Sequence, residues 1–156
     1  IPRLCEHSLG VAVNPKGERG VDWVFFFGDV WNFRETSHFI PEVPRFPATV
    51  SSLPADGSVL ISSPSETLLP TDVRGHIGRV LHEQFGVSEP GVYQVHDPRR
   101  EPSMSLVFNV FREDCVKPGQ FEAAMNYCGW CLPRDYGLAS VPKELGAAQQ
   151  FTRLLP

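Results

Sequence analysis

The sequence predicts an α+β fold built on a mostly antiparallel sheet with two main helices. Two segments, around residues 21–27 and 105–112, carry apolar side chains on both faces of an extended chain and read as strands covered from both sides. Two others, at 71–85 and 119–131, repeat apolar residues at three- and four-residue spacing. The order, strands first and then helix, hairpin and helix, lacks the strict alternation of a parallel α/β sheet.

The first strand is expected at 9–13 (LGVAV), and the cluster "NPKGERG" turns the chain into "VDWVFFF", the return strand of a hairpin. In that strand Trp23, Phe25 and Phe27 fall on one face and Val24 and Phe26 on the other. Residues 30–33 (VWNF) are read as continuing extended. From 35 to 57 the chain becomes "ETSHFIPEVPRFPATVSSLPADG", where Pro41, Pro44, Pro47 and Pro54 fix φ and remove donors, so a long proline-rich loop is predicted. A loop longer than about 15 residues within a compact domain tends to be functional.

A short strand follows at 58–62 (SVLIS). Thr71 or Asp72 is the expected N-cap of the next helix, whose stripe is Val73, Ile77, Val80, Leu81 and Phe85 and whose stop is Gly86. Strands at 92–96 and 105–112 form a hairpin around "DPRREPS". In the latter, Leu106, Phe108 and Val110 oppose Val107 and Phe111. The second helix, 119–131, ends before Pro133, and a weakly patterned tail closes a single domain spanning 1–156.

At 156 residues the chain is long enough to bury about 70% of its unfolded surface, so it folds without a staple. Apolar residues make up 42% and charged ones 21%, which argues against whole-chain disorder and against a coiled coil. There are 15 prolines, and 11 phenylalanines with 3 tryptophans make the core aromatic. A net charge of −4 and a pI near 5.7 leave no basic footprint, and the one basic pair, Arg99 and Arg100, is flanked by Asp97 and Glu101, so nucleic acid is not expected as a partner. No apolar run approaches the roughly 18 residues of a membrane span, and no leader pattern is visible. The expectation is a cytoplasmic protein without a membrane partner, although the chain begins at Ile1 rather than Met.

The sharpest chemical motif is "NYCGWCLP", with Cys128 and Cys131 at C-x-x-C spacing. On a helix, Phe121, Ala124, Met125, Cys128, Cys131 and Leu132 form one apolar stripe, so packing explains the spacing. Redox pairs draw their thiolate from a helix N-terminus, whereas these cysteines approach a C-terminus. The competing interpretation is a thiol-redox or zinc protein in which Cys115 or Cys5 joins Cys128 and Cys131. His76 and His82, about 240° apart around a helix, cannot share a ligand, and His76 and Glu83 stand about two turns apart. His96 and Asp97 (VHDP) stand at a strand end where catalytic groups occur, but Asp-Pro is an ordinary turn initiator. The serines have no G-x-S-x-G context and the glycines no phosphate-cradling pattern, so the chain leans away from an enzyme, and no cofactor is expected.

In "PEVPRFP" three prolines recur every third residue, the period of polyproline II, with Arg45 beside them. Trp31, Phe33, Phe39 and Phe46 lie in or next to the same loop. Aromatic residues and Arg are what interface centres favour. The functional expectation is therefore a non-enzymatic protein-binding domain of adaptor, regulatory or toxin-immunity type. It would act on a protein partner or a second copy through Trp31, Phe33, Phe39, Pro41, Pro44, Arg45, Phe46 and Pro47.

Overall fold

The residues that repeat at helical spacing lie across one face of a six-stranded sheet, in a computed structural model that describes residues 2–15, 20–39, 51–52, 59–97, 99, 104–134, 136–147 and 151–155. The elements are α1 (Pro2–Glu6), β1 (Val11–Val13), β2 (Trp23–Phe25), α2 (Phe27–Thr36), β3 (Ser51–Ser52), β4 (Leu60–Ser62), α3 (Thr71–Phe85), β5 (Gly91–His96), β6 (Met104–Phe108), α4 (Gln120–Cys131), β7 (Leu138–Ser140), α5 (Lys143–Ala147) and β8 (Thr152–Arg153), with a 3₁₀ turn at Arg112–Asp114. The fold is α+β, as the element order predicts.

The main sheet runs β3-β7-β6-β5-β4, and β8 also pairs with β5. The predicted hairpin is its centre: β5 and β6 run antiparallel with Val92 opposite Phe108 and His96 opposite Met104. The outer edge of β5 is shared, its last three residues by β4 and its first two by β8, both antiparallel. On the other side β7 joins β6 in parallel, Leu106 facing Leu138, so β6, α4 and β7 make a crossover unit within an otherwise antiparallel arrangement. The tail that shows little pattern in sequence thus supplies β7, α5 and β8. Those strands are two or three residues long, too short to display a period of two.

The two faces of β6 lead to separate cores. Leu106, Phe108 and Val110 join Val73, Ile77 and Leu81 of α3 and the α4 stripe in the larger one. Val107 packs with Tyr93, Val95, Ala139 and Val141 on the reverse face, where Val59, Phe111 and Phe151 add partial cover. Every member of the predicted α4 stripe is buried.

α3 has the predicted bounds, but its start is capped differently. Pro70 occupies the cap position without a side-chain bond. Glu66, five residues before Thr71, accepts the Thr71 amide at 2.6 Å and its hydroxyl at 2.8 Å. The stop is as expected: Gly86 sits at φ 74°, donating to the His82 carbonyl, while Val87 donates to Leu81 in a Schellman arrangement.

The largest departure is α2. The chain expected to continue extended through Phe27 and residues 30–33 instead turns at Phe26 into a ten-residue helix. Asp29, at the third helical position, accepts the Phe26 amide at 2.9 Å, the carboxylate half of a capping box, and Ser37 closes the helix in the left-handed region. From Phe27 to Asn32 every residue is buried, so this helix begins inside the protein. It approaches the end of α4 closely enough that a Cβ on Gly28 would lie 1.8 Å from the Leu132 carbonyl oxygen. Trp31, 1% exposed, donates its indole N–H to the Cys131 carbonyl at 2.7 Å.

Candidate functional site

The β1–β2 hairpin stands apart from the main sheet, and its face is aromatic. Antiparallel pairing sets Val11 opposite Phe25 and Val13 opposite Trp23, so these four side chains share one side. Phe25 stacks on Phe39 at 4.4 Å between ring centroids, and Phe39 stacks on Phe33 of α2 at 4.3 Å. Trp23 lies 6.3 Å from Phe25 and is 46% exposed.

Arg134, just beyond α4, anchors this row. Its guanidinium carbon lies 4.6 Å from the centres of both the Trp23 and Phe26 rings. The same group donates to the Val24 carbonyl and stands 3.5 Å from the buried Asp29 carboxylate, whose second oxygen takes the Arg134 amide at 3.1 Å. Asp29 thus holds both the start of α2 and the segment carrying Arg134. Phe26 meets Trp130 at 5.1 Å, and Gly10 lies against the Trp130 ring. Leu9 and Val21 are also exposed near the hairpin ends.

The predicted surface residues separate accordingly. Phe33 and Phe39 meet in the stack, whereas Trp31 is core, because α2 turns it inward onto α4 rather than toward a rim. Pro41, Pro44, Arg45, Phe46 and Pro47 lie outside the described residues. Sequence reasoning missed Trp23 as an exposed group and Arg134 altogether. The aromatic richness of "DWVFFF" signals the former, but nothing local to Arg134 announces a partner more than a hundred residues away.

The cysteines are placed as the helical stripe implies. Cys128 and Cys131 are free thiols buried in the larger core, and Cys5 and Cys115 are free and half-buried elsewhere. Burial pushes the Cys131 thiol up to about 12 and Cys128 well above its ordinary value, the reverse of an activated thiolate. Among the described residues, no three His, Cys, Asp or Glu side chains are grouped to hold a metal ion. Asp97 is committed to its turn, with Oδ1 accepting the Arg99 amide at 3.1 Å and Nε at 2.9 Å, while His96 pairs within the hairpin.

Among the described residues no helix is long and apolar enough to cross a membrane. Comparison with protein-family models, curated proteins and solved structures finds no match to this chain.

Proposed function

We propose that the chain is a protein-binding domain of adaptor, regulatory or toxin-immunity type, whose contact surface is the aromatic face of the β1–β2 hairpin. The observation that carries this is Trp23: the residue is 46% exposed while the Arg134 guanidinium lies against its ring. A rigid aromatic with a stacked guanidinium offers much area at low ordering cost, the composition that dominates interface energetics. Phe25, Phe33 and Phe39 belong to this surface, and Pro41, Pro44, Arg45, Phe46 and Pro47 are assigned to it in this proposal from the sequence alone. Net charge −4 favours a protein, including a second copy of this chain, over nucleic acid. A cytoplasmic setting, where unpaired thiols persist, belongs to the same proposal.

A photo-crosslinking residue placed at position 23, with a control at the exposed Glu83, tests this in cells and in purified protein. Adducts at position 23, abolished by Arg134→Ala in a variant that still melts cooperatively, support the surface. Equal labelling at both positions overturns it. Sedimentation of the purified chain separates the two kinds of partner: a dimer lost in Trp23→Ser identifies self-association.

A further inference from the structure

His76, in the second turn of α3, is held from both ring nitrogens. Ser8 Oγ lies 3.0 Å from Nδ1 and the Tyr127 hydroxyl 2.5 Å from Nε2. The three groups come from the turn after α1, from α3 and from α4, with the Phe27 ring edge-on to the imidazole at 5.5 Å.

In the tautomer that carries its proton on Nε2, that nitrogen donates to the Tyr127 oxygen, and Nδ1 accepts from the Ser8 hydroxyl. That is the arrangement of an activated hydroxyl: nucleophile, base, and a third group orienting the base. Ser8 itself is at φ 54°, a region that residues other than glycine seldom occupy.

Ser8 and His76 border a cleft of about 510 Å³ that also takes in Arg34, Asp72 and Arg79. Arg34 is committed to Asp72 at 2.7 Å and Glu35 at 2.6 Å. Arg79 forms no ion pair among the described residues, leaving it as the cation available to a ligand. Cys5 and Glu6 of α1 complete the charged or titratable lining. Burial, and then Arg79, hold His76 below its ordinary value, which keeps the ring neutral near pH 7 and able to accept a proton.

We propose that Ser8 is a nucleophile with His76 as its general base, and that the cleft takes a small carboxylic ester bearing an anionic group bound by Arg79. Ser8 Oγ adds to the ester carbonyl while its proton passes to Nδ1. The C–O bond of the tetrahedral adduct breaks, and the alcohol leaves with that proton. Water then adds to the acyl-serine, giving its proton to Nδ1, and collapse releases the acid and restores Ser8. Tyr127 is a positioning residue, its oxygen accepting from Nε2 throughout.

The test is hydrolysis of the mono-4-nitrophenyl ester of succinate against neutral 4-nitrophenyl acetate, with mass mapping of the acylated peptide. Succinylation at Ser8 is expected. Turnover should disappear in Ser8→Ala and in Ser8→Gly, the latter suited to the positive φ. His76→Gln should slow the reaction by about 100-fold or more. Arg79→Gln should lose the preference for the anionic ester, bringing its kcat/KM down to that of the acetate measured with the same variant. Tyr127→Phe, if merely structural, leaves the pH profile in place; as a positioning residue it shifts the acid limb where His76 deprotonates. Acylation at Cys5 instead of Ser8, or a Ser8→Gly variant as fast as the parent, overturns the proposal.

Discussion

Cys128 and Cys131 show how a single residue type can carry two stories and the surroundings choose one. Both sit in a core lined by Phe121, Met125 and Leu132, and burial raises both thiols. Alkylation of the native protein should therefore modify Cys5 and Cys115 first and reach Cys128 and Cys131 only in denaturant, as peptide mapping after timed iodoacetamide treatment will show. Cys128→Ser should lower stability by about 1–3 kcal/mol, since a hydroxyl would be buried where a thiol serves as a hydrophobe. This much was legible, because the stripe on α4 is a matter of spacing alone. The aromatic face was legible by half: Phe33 and Phe39 announce themselves by composition, but Arg134 and Asp29 act across the fold, and their value depends on α2 starting where it does.

At the scale of elements, α3 and α2 mark the two ends of what a pattern can convey. α3 has one face in the core and another in water, so its apolar residues recur with the helical period. α2 is surrounded through its first six residues, Phe27 to Asn32, and no stripe survives when every direction is inside. Its tryptophan, valine and phenylalanines then resemble a strand, and the sequence is misread for a physical reason. The same burial gives a mutational contrast. Gly28→Ala drives a methyl into the Leu132 carbonyl and should cost about 1–3 kcal/mol or more. Gly75→Ala, in the middle of α3 with nothing within 4 Å of the new methyl, should gain about 0.5–1 kcal/mol. Urea midpoints for the two variants, compared at equal m-value, check both signs.

For the whole molecule, the centre of protection is the β5–β6 hairpin, which has a neighbour on each edge and a core on each face. Amides of Val92, Val95 and Val107 should exchange with deuterium only through global unfolding. Those of β4, exposed at all three residues, and of the separate β1–β2 pair should exchange through local opening at lower free energy. Equal protection of β4 and β5 in an exchange experiment would contradict this layered stability. The fold class was legible because element order and the two-sided strands survive errors in any one element; the crossover to β7 was not, because three residues carry too little pattern.

The meeting of Gly28 with the Leu132 carbonyl also bears on how such a chain drifts over generations. A position where the backbone of a second helix fills the space of a side chain admits no gradual change. Glycine must stay, or the crossing of α2 over α4 must move with it, carrying Asp29, Arg134 and the aromatic face. At Gly75 the lineage is free to wander, so descendants should be told apart at position 75 and recognised by position 28.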